Sequence, residues 1–239
     1  MTTGPQANDG ALPDAKIDLR LLPAAMSLVT ILAAMSGVVD TVAYQRFGVF
    51  VANQTGNLVI IMVDLTTGRF DNTLIASLVS LVFFIGGVFA AVALRNALRR
   101  TMSRHRVRVI LLMIETACIG IVAFAVLALG EGRLAYGAIA LLAVSQGFQG
   151  VVVTRVVGVA IQSVVINAAI VQVADWWSSG RRRAAYIAVC VPVGYLLGAA
   201  IGAILLRFPA PSALMSALAL AVLAVVIATK LRSRGGDLD

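Results

Sequence analysis

The chain contains few charged residues and few of the residues that usually build enzyme active sites. Charged residues make up 13% of its 239 residues, roughly half the share of a soluble domain. It has one histidine, His105, and two cysteines, Cys118 and Cys190, which lack the spacing of a metal site or a disulfide framework. The sequence also lacks a glycine-rich phosphate loop with lysine and the HExxH, CxxC and GxSxG motifs. We therefore expect no enzymatic activity, no cofactor and no metal site.

Acidic residues are scarce as well, and the balance of charge is positive. There are 11 Asp and Glu against 19 Lys and Arg, which gives a formal net charge of +8. Surfaces that bind single-stranded nucleic acid place aromatic side chains among the basic ones, and no aromatic residue stands among the clustered arginines here. Cationic loops are instead how membrane proteins set their orientation. The sequence therefore predicts a lipid bilayer, and not nucleic acid, as a partner.

Long apolar runs occupy most of the chain. Hydrophobic residues make up 60% of the sequence, and its mean hydropathy is +0.97. Runs such as Leu74 to Leu94 are long enough for a helix that crosses a bilayer, which takes about 20 residues. We expect an all-α polytopic membrane protein with a single transmembrane domain at 21–231. A disordered cytoplasmic tail at 1–20 precedes this domain, and a cytoplasmic tail at 232–239 follows it.

Eight apolar segments are visible, but six membrane spans fit the distribution of charge better. The segments are 21–43, 49–65, 73–94, 107–129, 134–153, 157–175, 183–206 and 208–230. If all eight crossed the bilayer, the arginine-rich stretch at 95–108 would lie opposite the Arg181–Arg183 triplet, against the positive-inside rule. If the second and sixth segments return to the side they entered from, fifteen of the nineteen basic residues lie on one face. This topology predicts about six transmembrane helices, with both termini in the cytoplasm.

The second and sixth segments are also the polar ones. The second contains a polar box at 53–57 (Asn-Gln-Thr-Gly-Asn) between apolar flanks, and the sixth contains Asn167. Polar groups and irregular backbone are tolerated inside a membrane where they are buried in protein or line a wet cavity. The two segments are therefore either short re-entrant or broken helices beside a cavity, or ordinary spans whose polar side chains bond to neighbouring helices.

A weak internal repeat relates the two polar segments. When the second half of the chain is aligned with the first, Gly147 falls on Gly37 and Asn167 falls on Asn57. The two pseudo-repeats span about 21–129 and 131–231. With three full spans in each half, the second half is inverted relative to the first, as in many transporters.

The first candidate binding site combines the polar box with an acid at the end of the preceding span. Asp40 lies shortly before the box, and a carboxylate at that depth needs a partner or water. Asn53, Thr55 and Asn57 alternate, so an unwound stretch would place all three side chains on one side. Gly56 would let the backbone approach closely. We expect these residues to line one wall of a cavity that binds a solute or an ion.

Four further residues extend the candidate site. Glu115 lies inside the fourth segment, with Arg108 two helical turns before it. It is either half of a structural ion pair with Arg108 or a titrating carboxylate that binds a coupling ion. Gln146 and Gln149 lie in the second half of the chain, and we expect them, with Asn167, to form a second wall of the cavity.

Three elements of the sequence form a pattern found in a known family. They are Gly37-x-x-Asp40, Gly48 followed by Asn53-x-Thr55-Gly56-Asn57, and the Gly-Gln-rich element Gly147–Gly150. Over most of residues 25–230 the chain resembles the YoaK-like family of bacterial inner-membrane proteins. The resemblance implies about six spans and an inner-membrane location but no substrate. Val165 and Ile166 stand where the family often has a second Thr-Gly pair, so Asn167 is the part of a second box that is retained.

These features predict a secondary transporter or permease for a small solute, coupled to a proton or another cation. The alternative is a non-transporting membrane scaffold or sensor that acts on a partner through the arginine-rich cytoplasmic loop at 95–108. Both functions place the protein in the bacterial inner membrane, and both are compatible with a homo-oligomer.

Overall fold

Eight helices and no β-strand make up the part of the chain that the structure describes. The computed structural model describes residues 20–129, 135–152, 166–208 and 211–233, the side chains of 231–233 excepted. The helices are α1 (Leu22–Phe47), α2 (Gln54–Thr67), α3 (Asn72–Leu98), α4 (Arg104–Leu129), α5 (Ala135–Val152), α6 (Ile166–Ser178), α7 (Arg182–Leu205) and α8 (Ser212–Ser233).

Six of these helices are long and apolar enough to cross a membrane. They are α1, α3, α4, α5, α7 and α8. By contrast, α2 has 14 residues, which is too few to cross a hydrocarbon core about 30 Å thick at a rise of about 1.5 Å per residue, and the described part of α6 has 13. The predicted fold class, an all-α membrane protein with six spanning helices and two short helical segments, is confirmed.

Some sequence predictions concern residues outside the described ranges. These are the tail at 1–20 except for its last residue, the tail at 232–239 from residue 234 onward, and the first half of the sixth segment at 157–165, which includes Val165.

The ends of the first helices follow local signals in the sequence. α1 ends at Gly48 (φ 71°) and α2 at Gly68 (φ 69°), both in the left-handed conformation that glycine adopts without strain. α3 begins after Asp71, whose carboxylate accepts hydrogen bonds from the backbone N–H groups of Thr73 and Leu74. Local chemistry therefore fixes the points at which the chain leaves α1 and α2 and enters α3.

Glycines at every fourth position of α7 lie directly on the backbone of α1. Gly194 faces Thr30 and Gly202 faces Val38. Residue numbers therefore rise together on the two helices, which run parallel. A Cβ atom on the intervening Gly198 would overlap the backbone of α1. This small-residue stripe permits the close approach on which helix packing in a membrane depends.

α3 and α5 pack in the same close manner. A Cβ atom on Gly87 would lie 2.6 Å from the backbone oxygen of Val144. A Cβ atom on Gly147 would lie 2.6 Å from the backbone oxygen of Phe84 and 2.8 Å from the nitrogen of Val88. All three distances are shorter than a carbon atom tolerates, so glycine is required on both sides of this contact.

The two glycine contacts are equivalent under the sequence repeat. Gly37 of α1 faces the backbone of Tyr195 and Ala199 in α7. In the other half, its equivalent Gly147 faces Phe84 and Val88 of α3, as described above, and these two residues have the same spacing along their helix. The repeat therefore extends from the sequence to individual backbone contacts. The alignment of α1 with α5 differs by one residue from the alignment of α3 with α7.

The packing of helices repeats in the same way. α1 packs on α7 as α5 packs on α3, and α1 packs on α8 as α5 packs on α4. The short helices follow the pattern, since α2 lies on α3 and α6 lies on α7. α3 also contacts α4 as α7 contacts α8, and the pairs α1–α5 and α4–α8 join helices that are equivalent to each other. The arrangement is that of two halves related by a pseudo-two-fold axis.

Hydrogen bonds show that α1 and α5 run in opposite directions. Gln149 donates from Nε2 to the backbone oxygen of Leu32 at 2.9 Å, and Ser36 bonds to Gln146 at 2.8 Å. The contact therefore moves forward along α1 as it moves backward along α5. Eight spans would make these two helices parallel, so the antiparallel register agrees with six spans and with an inverted second half.

Candidate functional site

The carboxylate of Asp40 lies at the centre of the irregular loop between α1 and α2. The residue is 1% exposed. One carboxylate oxygen accepts hydrogen bonds from the backbone N–H groups of Val51 and Ala52, both at 2.7 Å, and the other accepts from Asn53 at 3.2 Å. The hydroxyl of Tyr195 on α7 donates to the same carboxylate at 2.8 Å. Asp40 thus satisfies three consecutive N–H groups of the loop that leads into α2, the last of which belongs to its N-cap residue Asn53, and places a negative charge at the positive end of the helix dipole.

Asn57 holds the same loop from the other side by imitating a backbone peptide group. Its side-chain oxygen accepts from the N–H of Phe50 at 2.9 Å, and its amide nitrogen lies 2.6 Å from the carbonyl oxygen of Phe50. The amide also bonds to Gln54 at 2.8 Å, and Ser80 of α3 donates to the Phe50 oxygen at 2.6 Å. These bonds satisfy backbone groups that a membrane interior would otherwise leave without partners.

Gly56 is required by the ring of Phe50. A Cβ atom at position 56 would lie 2.7 Å from that ring. The ring also stacks on Tyr44, with 5.0 Å between centroids. We call the set formed by Asp40, Phe50, Gln54, Asn57, Ser80 and Tyr195 the α2 loop network.

The prediction that residues 53–57 are unwound and present three side chains to one wall is wrong. α2 begins at Gln54, so four of the five box residues are helical. Asn53 and Thr55 are exposed, whereas Asn57 is fully buried. The irregular backbone lies one turn earlier, at 48–53. The box therefore builds and closes a turn of the chain, and its polar atoms are used by the protein itself.

A second polar cluster lies between α1 and α5. The hydroxyl of Ser36 lies 2.8 Å from the side-chain oxygen of Gln146 and 3.0 Å from that of Gln149. All three side chains are fully buried. The amide nitrogen of Gln146 has no hydrogen-bond partner in the described part of the chain. Flipping this amide end for end would exchange its two polar atoms and still leave one of them without a partner.

Glu115 on α4 is the third buried polar feature. Its side chain is 1% exposed, and neither carboxylate oxygen has a hydrogen-bond partner among the described residues. The predicted ion pair with Arg108 is therefore not formed. The same helix buries Leu111, Leu112 and Ile119 beside it. A carboxylate in such apolar surroundings is costly unless it is neutralised by a proton or a cation.

Glu115 and Gln146 lie at similar depth on two helices that pack together. α4 ends at Leu129 and α5 begins at Ala135, so only residues 130–134 separate these two helix ends. At the rise of an α-helix, Glu115 lies about 21 Å from its end and Gln146 lies about 17 Å from its own. α4 packs on α5. Two buried side chains with unused polar atoms thus share one level of the bundle, and we call Ser36, Glu115, Gln146 and Gln149 the central polar group.

Comparison with known protein families assigns the chain. A family model described as "Protein of unknown function (DUF1275)" matches residues 28–228. The chain belongs to the DUF1275 family. The YoaK-like resemblance is consistent with this membership, although the match itself carries only the DUF1275 description. The comparisons with curated proteins and with solved structures each found no match.

In this DUF1275 chain the predicted site residues fall into separate groups. Asp40 and Asn57 belong to the α2 loop network, Gly56 lies against its Phe50 ring, and Gln146 and Gln149 bond to α1. Asn167 is exposed near the start of α6, which packs on α7. The single cavity predicted to lie between two polar walls is therefore replaced by a structural network and by the central polar group.

Three residues of the DUF1275 site were not singled out from the sequence. Ser36 carried a usable signal, because the alignment of the two halves places it on Gln146. Ser80 and Tyr195 lie in ordinary apolar spans, and only the folded chain brings them to Phe50 and Asp40.

Proposed function

We propose that the protein is a secondary transporter or permease of the bacterial inner membrane, which moves a small solute in a process coupled to a proton or cation on Glu115. The unpartnered carboxylate of Glu115, buried at mid-depth in α4, carries this proposal. Burial of such a group lowers the stability of a membrane protein. Ionisable residues that face a bundle interior therefore mark ion or proton pathways more often than packing.

The architecture supports the same function. Transporters built from inverted repeats bind substrate and coupling ion near the bilayer midplane, where the repeats meet. The bond between Ser36 and Gln146 joins equivalent positions of the two halves, so the central polar group lies next to the pseudo-two-fold axis. Gln146 also offers a free amide atom there to a solute.

The packing suggests which parts would move. The pairs α1–α7 and α3–α5 are each locked by glycine contacts too close to slide. α1 and α5 touch sparsely, and their contacts include the hydrogen bonds of Ser36 to Gln146 and Gln149 and that of Gln149 to Leu32. We propose that the two locked pairs rock as units about the central polar group, which alternates access to it from the two sides.

The membrane orientation proposed from charge is also compatible with the helix directions. α1 and α7 are parallel, so Arg20 before α1 and Arg181 before α7 lie at the same end of the bundle. This is the end we propose to be cytoplasmic, with both termini on that side.

Purified protein in liposomes tests the function. Solid-supported-membrane recordings and a trapped pH dye would follow charge and proton movement while solutes are added under a pH gradient. We expect a solute response from the wild type that is lost in Glu115→Gln. Asp175→Asn, a change of the same chemistry at an exposed site on α6, serves as the control and should respond like the wild type.

The scaffold or sensor alternative predicts a different result. Wild-type liposomes would show no solute response, and Glu115→Gln would alter only the stability of the protein. That result would overturn the transporter proposal.

A further inference from the structure

We infer that the transported solute is a small monovalent cation, which is exchanged for a proton on Glu115 in an electroneutral antiport. This inference rests on the proposed function and adds the class of substrate and the mode of coupling. It depends on three observations: the sign of the buried charges, the group that occupies the N-terminal end of α2, and the separation of Glu115 from other charged groups.

All buried charged residues that the structure describes are acids. They are Asp40, Asp64 and Glu115, at 1%, 7% and 1% exposure. No lysine, arginine or histidine is buried among the described side chains, and the other buried polar residues are serines, glutamines and one asparagine. An anion taken in beside these residues would meet like charge, since the one cationic atom found buried without a hydrogen bond among the described residues, Nε of Arg95, lies in the last turn of α3.

At α2, a second usual source of positive potential is already occupied. Broken helices of transporters aim a helix N-terminus at anionic substrates. At the start of α2 that position is filled by the carboxylate of Asp40, which already accepts from the N–H groups of Val51, Ala52 and Asn53. The protein thus supplies its own anion to this helix end.

Among the described residues, no other acidic or basic side chain lies at the level of Glu115 on α4 or on the helices packed against it. Of the helices packed against α4, α3 carries Arg95 near its end, α5 carries Tyr136 at its start, and α8 carries Lys230 at its end. On α4 itself Cys118 is one turn away, and the basic residues at 104–108 lie about two turns or more before Glu115. The negative charge of the Glu115 carboxylate must therefore be neutralised by the proton or the cation that binds to it.

A proton and a cation compete for the same two oxygens. When the cation binds, the O–H bond of the protonated carboxyl breaks and the proton leaves to the solvent on the side that is open. When the cation departs on the other side, a proton takes its place and the O–H bond forms again. The site carries no net charge in either state, so one monovalent cation moves one way for each proton that moves the other.

The unused amide atom of Gln146 narrows the class further. It lies near the depth of Glu115 and has no partner in the described part of the chain. The unused atom is the amide nitrogen, a donor, so an acceptor on an organic cation, such as the hydroxyl oxygen of choline, would satisfy it. Guanidinium only donates, and it would use only the carboxylate, as a bare alkali ion would. Choline is thus a better probe than guanidinium, Na⁺ or K⁺.

The test uses the full-length protein in acid-loaded liposomes that contain pyranine, in N-methylglucamine buffer on both sides. The added probes are the chlorides of choline, guanidinium, Na⁺ and K⁺, the N-methylglucamine salts of acetate, glutamate and sulfate, and glucose. We expect at least one of the four cations to make the lumen more alkaline without a sustained current in solid-supported-membrane recordings. Glu115→Gln should reduce this signal to that of empty liposomes, and Glu115→Asp should retain it.

The other outcomes separate this inference from the proposed function. If an anion or glucose gives the response that depends on Glu115, the protein is a transporter but the cation inference is wrong. If a cation gives a sustained current along with the pH change, the one-for-one exchange is wrong. If no probe of any charge gives a response, the cation inference fails together with the proposed function.

Discussion

Ser36 and Gln146 are equivalent residues of the two halves, and their side chains are hydrogen bonded to each other at 2.8 Å. A residue that contacts its own equivalent must lie close to the axis that relates the halves. One half contributes a serine at this position and the other a glutamine. The longer side chain of Gln146 reaches across the axis to Ser36, and its amide nitrogen has no partner among the described residues. The pseudo-symmetry is thus broken at this contact, and a solute bound there would meet a different side chain from each half.

Two neighbouring glycines of α3 give a matched test of the close α3–α5 packing. Gly87→Ala should destabilise the protein by about 1–3 kcal/mol, because the added Cβ atom overlaps the backbone of Val144. Gly86→Ala has open space around its Cβ atom and should be neutral, or more stable by up to about 1 kcal/mol, because alanine favours the helix. Reversible unfolding in mixed detergent micelles measures both. Equal effects of the two changes would contradict the packing described here.

Asn57 should matter far more than its neighbour in the box. Asn57→Ala removes the amide that pairs both polar groups of the Phe50 peptide and should lower the free energy of unfolding by about 1–3 kcal/mol. Thr55→Ala changes an exposed side chain and should stay within about 0.5 kcal/mol of the wild type. The same unfolding assay decides. A loss for Thr55→Ala as large as that for Asn57→Ala would contradict the structural role assigned to Asn57.

Asp40 and Tyr195 should be energetically coupled because a hydrogen bond of 2.8 Å joins them. In a double-mutant cycle of Asp40→Asn and Tyr195→Phe we expect a coupling energy of about 0.5–3 kcal/mol. Tyr136→Phe is the control, since the hydroxyl of Tyr136 bonds to Asn72 and shares no partner with Asp40. That change should add to Asp40→Asn independently. Zero coupling for Tyr195 would show that α7 does not depend on the capped loop.

Accessibility to an impermeant thiol reagent tests the six-span topology. In a variant without the two native cysteines, single cysteines at positions 99, 179 and 233 should stay unlabelled in intact cells, because the proposed topology places all three in the cytoplasm. A cysteine at position 131 should react. Labelling at 99 combined with protection at 233 would instead support eight spans.

Much of the fold was readable from the sequence because it depends on local properties. Span length, the glycine at each left-handed helix end and the arginine-rich stretch are fixed within short windows, and they predicted six spanning helices and two short ones. The unwound stretch of the second segment was predicted too late, at 53–57, whereas the irregular backbone lies at 48–53 and α2 begins at Gln54. That boundary is set by Asp40 and Ser80, which come from other helices.

The candidate site was less readable, because partners decide what a polar residue does. The spacing of Glu115 and Arg108 fits an ion pair on one helix face, but the absence of any partner for Glu115 among the described residues appears only in the folded bundle. Likewise, Asn57 and Gln146 both look like binding residues in the sequence. Asn57 uses its polar atoms on the protein's own backbone, whereas Gln146 leaves one unused.

The pairing of α1 has a consequence for how the chain is made. Its close helix partners are α5, α7 and α8, which all belong to the second half. A ribosome that has just delivered α1 to the membrane must synthesise the whole stretch from α2 to α6 before α7 emerges. Until then the surface of α1 that packs on the glycines of α7 is exposed to lipid or to the insertion machinery. The N-terminal half is therefore not a folding unit of its own. The packing of α1 is complete only after the last helices of the chain have been synthesised.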